Sequence, residues 1–350
     1  IKLIMAYTTI NKSSEHFNTK LYTGNATNPT TISGIGFQPD LVWTKLRAGG
    51  TEGHRLCDSV RGATKDLLSN DTSGELTNTI GLKSFNSDGY VIGNSNGYNF
   101  NNGTFASWNW KAGTTSIPSG SSTAPTAVSI NATAGFGIYE YTGTGVTGRT
   151  LAHGLNSAPK MMIVKRLNST RNWGVYHSSL ANTEYLELNT TTAKQTGNWW
   201  GNTTPTSSLL YLGNDGATNG SSDPFIMYAF ADVQGYSKFG SYTGNGSTDG
   251  PFIYTGFKPA FIILKNTGST DDWVMFDNKR NGYNTDGNEK LYPNNQNAEA
   301  DISEIDFLSN GFKLRAAGGE NNYPSGNTFI YMAFAEAPLV GTNNVPATAR

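Results

Sequence analysis

One pattern is written three times along this chain, and it limits the fold more than any single residue does. "GFQPDLVWTK" (36–45), "NSAPKMMIVK" (156–165) and "GFKPAFIILK" (256–265) each place a turn, a proline, an apolar run and a lysine in that order. Pro39, Pro159 and Pro259 stand six residues before Lys45, Lys165 and Lys265. They follow by 15 or 16 residues the glycine of a Tyr-Thr-Gly step that begins at Tyr22, Tyr141 or Tyr242. Downstream, "HRLCD" (54–58), "WGVYH" (173–177) and "WVMFD" (273–277) share one register, and "TFASWNWKA", "PFIMYAFAD" and "TFIYMAFAE" begin at Thr104, Pro224 and Thr328. "SFNSDGYVI" (84–92) is matched by "DFLSNGFKL" (306–314), whereas the middle stretch lacks this Asx-Gly step. Landmarks that recur in a fixed order mean one supersecondary unit built several times.

Each landmark has a strand or turn meaning. "KLYTG" and "IYEYTG" alternate side chains before a turn. Proline is tolerated at the front of "AFIILK" because the first residue of a strand need not donate to the ladder. The run behind it is apolar on consecutive positions, which predicts a strand covered on both faces. The closing lysine then marks where the strand leaves the core and its ammonium reaches water. "SDGY" and "SNGF" read as hairpin turns. Only "SVRGATKDLLSN" (59–70) suggests a short helix, and Gly62 weakens it. With 41 glycines and 12% aromatics, and polarity carried by Asn, Thr and Ser, the composition suits short strands and tight turns. The expected fold is all-β: three tandem antiparallel β-sandwich modules, jelly-roll-like, with little helix.

The expected boundaries are an N-terminal segment 1–14, modules at 15–113, 135–233 and 235–339, and a polar tail 340–350. Residues 114–134, rich in Ser, Thr, Pro and Ala, read as a linker that leaves the first module hinged. The other two adjoin in sequence and are expected to pack rigidly. Met5 reads as an initiator, which leaves residues 1–4 unexplained, and the apolar part of the start is too short for a signal peptide.

These motifs carry a resemblance. "YTGN", "GFQPDLVWTKLR", "CDSVRGATKDLLSN", "SFNSDGY", "NNGTFASWNWKAG" and "YMAFAEAP" resemble a repeat-domain family of unknown function found in virion proteins of marine bacteriophages. The first stretch matches best, the third keeps most of the frame, and the second keeps it loosely. The resemblance covers nearly the whole chain and brings no catalytic residues. It implies a non-enzymatic structural protein, a fibre, tail or head-decoration component made in the host cytoplasm and displayed on the virion surface.

The residues themselves limit the chemistry. Charged side chains make up 15% and the formal net charge is -1, so no basic excess exists for phosphate binding, and nucleic acid is not an expected partner. No apolar stretch reaches the about 20 residues of a membrane-spanning helix. The single cysteine, Cys57, excludes an intramolecular disulfide and a Cys-rich metal site, and reads as a buried apolar thiol. A nucleophilic pair with His54 would need both on one side of a strand, yet three residues apart they point oppositely. Asp271, Asp272, Asp277, Asp301, Glu304 and Asp306 gather in the last third and read as solvated loop charges rather than a glycosidase pair. They lack the spacing of a Ca²⁺ loop, and neither metal nor cofactor is expected.

One glycan-binding candidate remains: Trp199 and Trp200 in "TGNWWGNTTP", flanked by Asn198 and Asn202. On one strand, adjacent indoles face opposite ways, so an exposed one would stack on a sugar while amides hold hydroxyls. The competing reading packs both against a neighbouring module. Trp43, Trp108, Trp110, Trp173 and Trp273 fall at recurring strand positions and read as core. Expected partners are capsid or tail proteins, further copies of the chain as a trimer, and a host surface glycan. A lectin-like receptor-recognition protein is the alternative function, with a glycan-cleaving enzyme behind it.

Overall fold

The computed structural model describes residues 7–280, 284, 288–338 and 340; the expected initiator and nearly all of the polar tail lie outside these residues. The chain is nearly all β, with 43% strand against 2% helix. Its landmark strands pair antiparallel in one order, three times. In the first main sheet, Phe17–Thr23 lies beside the closing strand Thr104–Trp110, then the lysine strand Leu41–Ala48, then Arg55–Asp58. The second sets Phe136–Thr142, Pro224–Phe230, Met161–Arg166 and Gly174–His177 in the same order. The third sets Ser237–Thr243, Thr328–Pro338, Phe257–Asn266 and Val274–Asp277 likewise.

Strand alternation decides what each residue touches. From the lysine strands, Leu41, Trp43, Met161, Ile163, Phe261 and Ile263 enter one core to which all three main sheets contribute. Their neighbours Val42, Met162, Val164, Ile262 and Leu264 turn the other way into three separate clusters. Smaller sheets close those clusters. They are Thr30–Ser33, Gly89–Ile92 and Leu82–Asn86 for the first, and Arg149–Ala152 with Leu209–Leu212 for the second. Phe252–Tyr254, Gly311–Leu314 and Ile305–Leu308 serve the third. This is the two-faced burial that consecutive apolar residues predict. Pro39 and Pro159 precede their strands, and Pro259 sits at a register shift, where a missing N–H does no harm.

Three sequence expectations change here. The first main sheet is not hinged: Phe17 stacks on Phe334 at 5.2 Å, Trp108 meets Phe261 at 5.8 Å and Trp110 meets Phe230 at 6.3 Å. Residues 114–134 are not all linker, because Ala127–Asn131 forms the edge strand of the second main sheet and buries Val128 and Ile130. Residues 59–70 form no helix. Asp58 captures the N–H groups of Val60 and Arg61, Gly62 turns the chain at φ +93°, and Lys65–Leu68 continues as a strand. Aspartate competes for local backbone donors in this way, which opposes helix propagation.

The Tyr-Thr-Gly steps are also explained. Tyr22, Tyr141 and Tyr242 stack on Phe105, Phe225 and Phe329 of the closing strands at 5.0–5.2 Å. Their hydroxyls donate to the carbonyls of Tyr98, Thr218 and Asn321. The next residue in each case is a buried asparagine: Asn99, Asn219 or Asn322. Its Oδ1 accepts the N–H that follows the Tyr-Thr-Gly glycine, and its Nδ2 donates to two loop carbonyls. A Cβ on Gly143 would meet the Gly220 carbonyl oxygen at 2.0 Å, so only glycine permits that approach.

Candidate functional site

The chemistry-bearing side chains gather where one main sheet meets the next, and the contacts run in one cyclic order. Asp58 ends its strand in the first sheet and accepts from Tyr228 Oη of the second at 2.8 Å. His177, at the corresponding strand end of the second, faces the Tyr331 carbonyl of the third at 3.1 Å. Asp277, at that strand end of the third, accepts from Trp108 Nε1 of the first at 3.0 Å. Asp58 and Asp277 each also hold a buried arginine three residues on, Arg61 and Arg280, with Nε–Oδ2 distances of 2.6 Å. Arg280 further lies over the Trp108 ring, 5.7 Å from its centroid.

The three lysines close the same ring from the other direction. Each is on the inner face and fully buried, at 0% exposure, so none of them reaches water as the sequence suggested. Lys45 Nζ donates to the Gln296 carbonyl at 3.2 Å, Lys165 Nζ to Thr72 at 2.8 Å, and Lys265 Nζ to Thr191 at 3.0 Å. Each also donates to a carbonyl of its own part of the chain: Leu46, Arg171 or Asp271. Burial pulls all three pKa values down to about 8. A buried ammonium is tolerated here because loop carbonyls replace water around it. These lysines fasten neighbouring sheets.

The remaining candidates are scattered. His54 lies between Trp43 and Trp108, whereas Cys57 is in the outer cluster of the first sheet, so the two do not meet. Burial holds His54 well below its usual pKa and raises the Cys57 thiol. Asp277 and Glu304, expected as solvated charges, are instead buried and paired with Arg280 and Lys290. Of the other four, Asp306 pairs with Arg315, Asp271 accepts from Asn266 and Ser269, Asp272 accepts from Asn294, and Asp301 is exposed.

Neither indole of the Trp-Trp pair offers a free face. Trp200 is 0% exposed against Tyr176, and Trp199 is 5% exposed and stacked 3.7 Å from Tyr185, both within the second sheet's own outer cluster. Asn198 donates to Thr147 and Asn214, and Asn202, at φ +52°, is an exposed turn residue. The pair therefore packs within its own sandwich rather than against a neighbour. Trp199 does line a cleft of about 370 Å³ with Thr72, Thr170, Arg171, Asn172, Glu187, Asp215 and Ala217. A larger cleft of about 550 Å³ runs along Asp40, whose carboxylate is already bound by Ser59, Ser129 and the Ala112 N–H.

A family model described as a domain of unknown function, DUF7483, matches residues 12–338. No curated protein and no solved structure matches the chain.

Proposed function

We propose that this chain, which belongs to the DUF7483 family of unknown function across nearly its whole length, is a non-enzymatic structural component of a bacteriophage virion. It is read as a fibre, tail or head-decoration protein built from three tandem copies of one sandwich. The observation that carries this reading is the use of its reactive side chains. Lys45, Lys165, Lys265, Asp58, His177 and Asp277 are all buried and engaged in joining sheet to sheet. A body stapled in this way suits a load-carrying part.

Since one chain closes all three joints, further contacts fall on its outer surface, with capsid or tail proteins or with further copies of itself. The edge strand Phe252–Tyr254 favours such contact. The corresponding edge in the first sandwich presents Thr31 and Ser33, whereas here Phe252 and Tyr254 are 46% and 57% exposed. The test is mass spectrometry and electron microscopy of purified particles of the phage that encodes the chain. The reading expects the chain in the particle, with density for a three-sheet body on its surface. Absence from purified particles overturns it.

A further inference from the structure

We propose that the cleft beside Trp199 is a binding site for a neutral sugar, a role that goes beyond assembly. Its volume of about 370 Å³ falls within the about 300–1,000 Å³ of small-molecule sites. Two parts of the chain build it: Thr72 follows the first main sheet, while Arg171, Asn172, Glu187, Trp199 and Asp215 belong to the second sandwich. The walls are fixed to each other, because the Arg171 N–H donates to the Thr72 carbonyl at 2.9 Å. The buried Lys165 ammonium binds the Thr72 and Arg171 carbonyls together. Such preorganisation lowers the entropic cost of taking up a ligand.

The polar groups select hydroxyls. Arg171 is exposed and forms no ion pair among the described residues, so its guanidinium offers donors in a fixed fork. Asp215 uses Oδ1 on the Ala217 N–H, and Glu187 takes one bond on each oxygen from Asn172 and Thr190, which leaves acceptor lone pairs on both carboxylates. A hydroxyl donates and accepts at once, so vicinal hydroxyls bridge guanidinium and carboxylate. A phosphate meets two carboxylates here, and a cation meets Arg171, so neither fits the mixed set. Ala217 and the little of Trp199 that is exposed, its ring held by the stack on Tyr185, supply the small apolar part of the wall.

The test titrates the intact chain with oligosaccharides of cellulose, starch and chitin, followed by saturation-transfer NMR and calorimetry. At least one of these binds saturably, and Arg171→Ala weakens it by about tenfold or more without shifting the melting temperature. Asp215→Asn, which keeps its turn-forming oxygen, also weakens it, while Tyr254→Ala on the exposed edge strand leaves affinity unchanged. Absence of saturable binding by all three families of oligosaccharide, or binding that survives both cleft substitutions, overturns the proposal. Either outcome leaves the virion reading to its own test on particles.

Discussion

Removing the Asp58 carboxylate asks whether the joints between sheets hold the protein together. Asp58 accepts from the Val60 and Arg61 N–H groups at 3.1 and 2.9 Å, from Arg61 Nε at 2.6 Å and from Tyr228 Oη at 2.8 Å. In Asp58→Ala the Arg61 cation stays buried, at 1% side-chain exposure, with Glu75 left to it at 3.5 Å. Deleting one partner of a buried ion pair costs about 3–5 kcal/mol, whereas an exposed pair is worth at most about 1 kcal/mol. Tyr228→Phe removes the hydrogen bond donated to Asp58 and the longer one, 3.4 Å, accepted from Arg61 Nη2; the bond to the carboxylate dominates, a loss of about 1.5–3 kcal/mol. Because Tyr228 belongs to a different main sheet, the double mutant isolates the joint. Contacting residues show interaction energies of about 0.5–3 kcal/mol. Urea unfolding followed by tryptophan fluorescence supplies all four corners of the cycle. A loss below about 1 kcal/mol for Asp58→Ala, or a coupling of zero, refutes the reasoning.

Three further outcomes follow from burial. Lys45, Lys165 and Lys265 have folded pKa values of about 8 against 10.5 when free, so above pH 8 the unfolded chain holds more protons than the folded one. Stability therefore rises with pH, by at most about 1.4 kcal/mol per unit for each lysine. From about pH 9 upward the buried Cys57 thiol and the buried tyrosines, whose pKa values burial raises, oppose and then outweigh the rise. A flat or falling stability between about pH 8 and 9 in urea melts contradicts the burial of these ammoniums. Trp200→Ala empties a packed site and destabilises by about 3–5 kcal/mol, seen as a lowered denaturation midpoint; a variant as stable as the parent contradicts its place in the core. Cys57, fully buried and with its thiol pKa raised, stays unreactive toward a chromogenic thiol reagent until the chain unfolds, and rapid native-state labelling contradicts that placement.

The consecutive apolar runs were legible because a strand covered twice has no polar face to show, and Val42 and Trp43 indeed enter different cores. The lysines read as solvated in sequence for a physical reason. Sequence shows an ammonium at the end of an apolar run, but not that Thr72, Thr191 and Gln296 bring carbonyls from elsewhere in the chain to meet it. Asp277 reads as solvated in sequence because its partners Arg280 and Trp108 lie on a turn and on another sheet. The buried asparagines were missed although a signal existed: Asn99, Asn219 and Asn322 stand five, five and six residues before their closing strands. In a chain so rich in asparagine, that offset becomes visible only once the Tyr-Thr-Gly loops are known to need an acceptor. The Trp199 cleft was out of reach, since Thr72 and Arg171 are brought together by the joint between two sheets.

The central claim is that three main sheets share one core and stand or fall as a single body. Hydrogen exchange read by mass spectrometry in sub-denaturing urea tests it most directly, at the closing strands Thr104–Trp110, Pro224–Phe230 and Thr328–Pro338. The account predicts that the amides of all three lose protection together, with one common free energy of opening. Release of one closing strand at clearly lower urea, while the other two stay protected, contradicts it.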